Sequence, residues 1–199
     1  MACSYFFTYG GNMKVISFDQ SSTATGYAVF NNGKLIDYGL IKPKSSKRVK
    51  EVEIKKEPHL ITITMPEEQH NTTLLRISYI CDVAKELIKK TKPHKVYFEE
   101  IYMARGKFGY SSANISGFRS LSRLQGQLAR ICWECKIPYE IVLESQWISC
   151  YGKYSKDVKR AERKADTMKK INSIYGLKIT VDDVSDAIAL GHAMINKED

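Results

Sequence analysis

The chain has 199 residues, 43% hydrophobic and 27% charged, with 31 Lys and Arg against 22 Asp and Glu, a formal net charge of +9. That length suits one domain with one sizeable core. No apolar run approaches the roughly 18 residues of a membrane span, and Met1 to Asn12 lack the charged start and apolar stretch of a secretory signal. Five cysteines scattered from Cys3 to Cys150 do not form a disulfide framework, so the expectation is a cytoplasmic protein in a reducing compartment. The basic excess favours an anionic partner, nucleic acid among the candidates.

Residues 1–12 show no helical or alternating pattern and read as an extension. A buried strand follows, Val15-Ile16-Ser17-Phe18, ending in Asp19 and the small polar stretch Gln20-Ser21-Ser22-Thr23. Gly26 to Phe30 and Lys34 to Ile41 are two more strands, joined by Asn31-Asn32-Gly33, a composition suited to a tight hairpin. Lys42 to Pro66 carries seven Lys and Arg between Lys42 and Lys56 and a β-prone stretch from His59 to Thr64; it reads as an inserted basic arm or hairpin, outside the core.

Leu74, Leu75, Ile77, Ile80, Val83, Ala84, Leu87 and Ile88 recur at helical spacing and predict a helix from about Asn71 to Lys90, stopped before Pro93. Val96-Tyr97-Phe98 is a second buried strand, ending in Glu99-Glu100. Arg105 to Ser112 reads as a loop, Ile115 to Lys136 as a helix, Tyr139 to Leu143 as a third buried strand, Asp157 to Tyr175 as a very basic helix and Asp182 to Asn196 as the closing helix. The fold class is α/β: a mixed sheet, three antiparallel strands and then parallel ones, flanked by helices.

Three acidic features fall at the ends of core elements: Asp19, Glu99, and Asp183-x-x-Asp186 on the last helix. Residues i and i+3 share a helix face, and neighbouring first and fourth strands would bring all four carboxylates to one cleft. Such a cluster needs cations to stay ionised, and hard oxygen ligands suit Mg²⁺ or Mn²⁺. Two ions about 4 Å apart can activate water and stabilise a leaving 3′ oxygen in phosphodiester hydrolysis. Taken singly, each acid has a plainer reading: Asp19 as a turn former, Asp182 or Asp183 as a helix cap, Glu99-Glu100 as solvated charge. Asp182, four residues before Asp186, is the local competitor for the role given to Asp183.

The stretches Ile16-Ser17-Phe18-Asp19-Gln20-Ser21-Ser22-Thr23-Ala24-Thr25-Gly26-Tyr27-Ala28, Tyr97-Phe98-Glu99-Glu100-Ile101-Tyr102-Met103-Ala104 and Asp183-Val184-Ser185-Asp186-Ala187-Ile188-Ala189-Leu190-Gly191-His192 resemble, in order, the motifs of RuvC-type Holliday junction resolvases of the RNase H-like nuclease superfamily. The resemblance spans Met13 to about Ile195. It implies one RNase H-like domain over residues 13–199 with a basic insertion at about 42–66, and Asp19, Glu99, Asp183 and Asp186 as catalytic residues holding two Mg²⁺ or Mn²⁺ ions. It implies a homodimer that nicks opposed strands of four-way junctions, with Tyr102 wedging against bases. Gln20-Ser21 replaces the family's usual Pro-Gly pair, and the insertion is similar to that of phage or viral members, which puts substrate preference in question.

Phosphate contacts are expected from Arg105, Lys107, Arg119 and Arg123 beside Glu99, with Phe108 and Tyr110 as stacking platforms. The basic helix adds Lys153, Lys156, Lys159, Arg160, Arg163 and Lys164, of which Lys164 and Lys153 are the candidates for a catalytic lysine implied by the resemblance; a merely solvated helix face is the competing reading. Cys132-x-x-Cys135 reads as packing thiols and His192 as structural. The homodimer interface is expected on the apolar face Leu121, Leu124, Leu128, Ile131 and Trp133, against the alternative that this face packs on its own sheet. The rival functions are an RNase H-type enzyme cutting hybrids, a non-catalytic branched-DNA-binding relative, and an actin-like phosphotransferase, which needs two such domains.

Overall fold

The computed structural model describes residues 13–101, 112–152 and 158–197. The strand β1 (Lys14–Asp19) and its antiparallel neighbour β2 (Thr25–Asn31) are buried along nearly their whole length. A hairpin leads to β3 (Lys34–Ser46); Asn32 and Gly33 take φ of 50° and 74°, the two positive values a primed two-residue turn requires. There follow β4 (Glu53–Glu57), β5 (Leu60–Pro66), α1 (Glu67–Asn71), α2 (Thr73–Thr91), β6 (Lys95–Glu99), α3 (Ser112–Glu134), β7 (Tyr139–Val142), α4 (Glu144–Ile148), α5 (Arg160–Tyr175) and α6 (Asp182–Ile195).

The described strands form one sheet in the order β4-β5-β3-β2-β1-β6-β7. It is antiparallel across β1, β2 and β3 and parallel from β1 through β6 to β7, the mixed sheet expected from the sequence. Strand alternation divides the core in two. Ile16, Phe18, Val96 and Phe98 lie with Ile77, Ile80, Val83, Ala84, Leu87 and Ile88 of α2 and Leu124, Leu128 and Ile131 of α3. Val15, Tyr97, Ala28 and Phe30 lie with Val184, Ala187, Ile188, Leu190 and Ala193 of α6 on the other face. On α2 each fully buried Ile or Val contributes about 1.5–3 kcal/mol of transfer free energy. That helix ends where Lys92 turns left-handed and its N–H caps the Ile88 carbonyl, one residue before Pro93.

Three sequence expectations are corrected. Lys42 to Pro66 does contain a hairpin, β4 with β5, but it does not lie outside the core. β3 continues to Ser46 and β5 pairs parallel with it, burying Ile61, Ile63 and Met65. The alternating pattern of β5 prevails over its basic surroundings, and the charges fall on the connecting loop and on β4, whose exposed Glu and Lys side chains guard the sheet edge. Gly39 permits the join: a Cβ there would stand 2.7 Å from the His59 carbonyl, which accepts a hydrogen bond from Leu40 N–H.

Tyr139 to Leu143 is not a buried strand either. β7 pairs with β6 alone, as the last strand of the sheet, and leaves Tyr139, Ile141 and Leu143 exposed. The third correction concerns α3, whose Leu124, Leu128 and Ile131 are spent inside the protomer, leaving Trp133 exposed beneath the Arg130 guanidinium. The expected dimer face is therefore mostly core. Cys132 packs in that same core, burial pushing its thiol up to about 12, and His192 is structural as expected, its Nδ1 2.5 Å from the Tyr175 hydroxyl. Among the described residues no helix is long and apolar enough to cross a membrane.

Candidate active site

The site begins with two parallel strands in register. Phe18 of β1 stands opposite Phe98 of β6, and Asp19 and Glu99 come one residue later on each. Alternation turns both carboxylates to the face of Ser17 and Tyr97, away from the α2 and α3 side, so each strand delivers its acid toward α6.

Close backbone approach brings α6 to them. The Ser17 hydroxyl donates to the Ala187 carbonyl at 2.7 Å. Gly191 lies so near the sheet that a Cβ would fall 2.4 Å from the Phe30 ring and 2.5 Å from Ser17 Oγ. Gly26 pairs with Asp19 across the β1–β2 ladder, and a Cβ on it would stand 1.9 Å from the Asp183 carbonyl oxygen. The first turn of α6 thus rests on the bare backbone beside Asp19, and Asp186, one turn on, is buried behind it.

The four acids feel one another. Burial raises the Asp19 carboxyl well above its usual range, with Glu99, Asp186 and Asp183 adding repulsion. Burial and the charges of Glu144 and Asp186 push Glu99 up to about 7 against the pull of Arg160 and Lys164. Asp183 and Asp186 are likewise raised, chiefly by burial. The Gln20 and Gln125 amides both donate to the Glu99 carbonyl, at 2.7 and 2.9 Å, fixing the end of β6. The Lys164 ammonium lies 2.8 Å from Asp182 and 2.9 Å from Asp186.

This donor set is all oxygen, buried and short of positive charge, and the amide oxygen of Gln20 is buried with no hydrogen-bond partner among the described residues. It fits a hard divalent cation. Among the described residues no three His, Cys, Asp or Glu side chains already stand close enough to hold a metal ion.

The overall arrangement matches that of Thermus thermophilus RuvC in complex with a Holliday junction substrate, at TM-score 0.61 and 15% identity over 94% of both chains. The fold is that of RuvC. A second Thermus thermophilus RuvC structure matches at TM-score 0.56 and 17% identity, over 94% of this chain and 95% of that one. The yeast mitochondrial Holliday junction resolvase Ydc2 matches at TM-score 0.50 and 11% identity, over 93% of this chain and 78% of that one. No family model matches the sequence, and a search of curated proteins finds no match.

Around the carboxylates of this RuvC-like fold the expected basic residues divide. Arg160 and Lys164 project their charge into the carboxylate cleft, and Arg163 lies 4.0 Å from Glu144. Lys159 precedes the first turn of α5, exposed. Arg119 and Arg123 line a pocket of about 430 Å³ with Thr73, Ile115, Ser116 and Ser120, between the start of α2 and α3. Tyr102, Arg105, Lys107, Phe108, Tyr110, Lys153 and Lys156 lie outside the described residues.

Sequence reasoning missed Glu144, Gln125 and Arg76. Arg76 ties α2 to the loop after Asp19 by donating to the Ser22 carbonyl at 3.2 Å. None of the three sits in a motif, because each reaches the site only through tertiary packing.

Proposed function

We propose that this chain is a metal-dependent endonuclease, one domain over residues 13–199, that nicks opposed strands of four-way junctions or other branched DNA as a homodimer. The observation that carries the reading is that Asp19, Glu99, Asp183 and Asp186 stand at the neighbouring ends of β1, β6 and α6, where burial and mutual repulsion raise their carboxyls, on a sheet arranged like that of RuvC. Two Mg²⁺ or Mn²⁺ ions held by these four residues would supply an activated water and neutralise the leaving 3′ oxygen.

The remaining roles belong to the chain's own groups. Gln20 and Gln125 hold the Glu99 backbone in place, which limits how far its carboxylate must move to join the others around a metal. Arg160, Arg163 and Lys164 surround the cleft with positive charge that attracts the DNA backbone. Arg119 and Arg123, one turn apart on α3 and accompanied by three hydroxyls, form a second seat for a phosphate. Dimer pairing falls to surfaces the protomer leaves open, such as Leu74 and Leu75, exposed at the start of α2.

The test is cleavage of a labelled four-way junction, a flap, a linear duplex and an RNA–DNA hybrid with Mg²⁺ or Mn²⁺. The junction should be cut best, with Asp19→Asn, Glu99→Gln, Asp183→Asn and Asp186→Asn each at least about 10³-fold slower, since each tenfold is about 1.4 kcal/mol of transition-state stabilisation. Full activity in any two of these variants rejects the site. Preference for the hybrid would instead identify an RNase H-type enzyme.

A further inference from the structure

The Lys164 ammonium touches two carboxylates that are not equivalent. Asp182 and Asp186 are four residues apart, one turn of α6, so a single cation from α5 spans the helix's opening turn. The Asp182 side chain is half exposed and that of Asp186 is only 7% exposed. The Lys164 contact holds the Asp182 carboxyl below its usual range, and the backbone N–H groups of Asp182 and Asp183 help orient it. Of the four proposed metal ligands, Asp186 is the one in an ion pair with Lys164 among the described residues. An ammonium and a divalent cation on the same buried carboxylate repel each other, which favours moving Lys164 off Asp186 as the site loads, and its second partner lies within reach.

Building on the metal-dependent reading above, we propose that Lys164 is a stand-in cation on Asp186 in the metal-free protein, and that Asp182 is a positioning residue that keeps the ammonium when a divalent ion takes Asp186. Lys164 remains charged throughout and only its partner changes. Without Asp182 the lysine would have to surrender its pairing altogether, and metal binding would bear that cost. Without Lys164 the competition disappears. The acid beside the metal-binding pair thereby gains a role outside the ligand set: it lets a lysine and a divalent cation share one helical turn.

The test is a double-mutant cycle on Mn²⁺ affinity, read by electron paramagnetic resonance of free Mn²⁺ against metal-free protein without DNA. Lys164→Met should tighten binding about tenfold and Asp182→Asn should weaken it about fivefold, within the usual span of coupling between linked sites. In the Lys164→Met background the Asp182→Asn effect should shrink to less than about twofold, because Asp182 has then lost the group it acts through. Equal weakening in both backgrounds would mean that Asp182 is only diffuse negative charge and would overturn the proposal, as would a Lys164→Met variant no tighter than wild type. Lys164→Gln replaces Lys164→Met if thermal melting shows that the latter is unfolded. Wild-type protein that binds no Mn²⁺ overturns the nuclease reading itself, and the proposal with it.

Discussion

The two faces of the central sheet are built by opposite means. On one, α2 and α3 fill space with Ile, Val and Leu against a largely apolar surface. On the other, Ala187 and Gly191, one turn apart on α6, let backbone approach backbone, with Ser17 hydrogen-bonded to the Ala187 carbonyl across the gap. Bulk makes a stable contact that tolerates small shifts. Close approach makes a contact whose spacing is set by atoms that cannot yield, and that is the face on which four carboxylates must meet. Under the proposed nuclease reading, the close-approach face is the one whose spacing sets the geometry of the site.

Breaking the close contact should have the largest effect. A Cβ at Gly26 would sit 1.9 Å from the Asp183 carbonyl, a backbone atom that can move only with α6. Gly26→Ala should therefore slow junction cleavage at least about 10²-fold, the scale expected when reacting groups are displaced by about 1 Å. Near-normal circular dichroism would place the fault in the site. Wild-type cleavage by this variant would show that the Asp183 register does not matter.

The opposite face should give the opposite pattern. Ile80 on α2 is fully buried, and Ile80→Ala should cost about 2–5 kcal/mol of unfolding free energy from lost burial and the cavity left behind. Cleavage per folded molecule at low temperature should stay near wild type. Gly191→Ala belongs to the α6 side, where overpacking against Phe30 and Ser17 should cost about 1–3 kcal/mol and also reduce cleavage. Chemical denaturation and single-turnover cleavage, measured on both variants, would sharpen the division. Parallel losses of activity and stability in the two would dissolve it.

How much of this could be read from the sequence follows the same line. Val15 to Asp19, Val96 to Glu99 and the closing helix from Asp182 are strong local patterns, and the acids at their ends pointed to one cleft. Asn32-Gly33 announced its hairpin because two positive φ values need such residues. The rest depended on partners distant in the chain. The strand from Leu60 looked peripheral until its pairing with β3 was known, and β7 looked buried until its place at the sheet edge left Ile141 exposed. Leu124 and Leu128 formed an apolar stripe, which sequence alone cannot assign to core or interface. Gly26 stands within the first motif, but that it marks the contact with Asp183 depends on a helix more than 150 residues away. Lys164 stood among eight basic residues near the end of the chain, and only packing of α5 against α6 selects it.

The smallest effect expected is a pH dependence confined to the α6 face. In the metal-free protein, burial first and then Glu144 and Asp186 raise the Glu99 carboxyl from its ordinary 4.5 to about 7. Between those values the folded protein holds this proton more firmly than the unfolded chain does, so the group favours folding fully below about 4.5. That contribution is lost as pH rises through about 7. The melting temperature of metal-free protein should accordingly decline across this window, and Glu99→Gln, which stays neutral, should flatten the upper part of the decline. Asp19, Asp183 and Asp186, also raised, shape what remains. Ile80→Ala, altered on the face without carboxylates, should melt lower at every pH yet keep the wild-type slope. A Glu99→Gln slope indistinguishable from wild type between pH 6 and 7 would place the buried charge on another group and remove Glu99 from the coupled set.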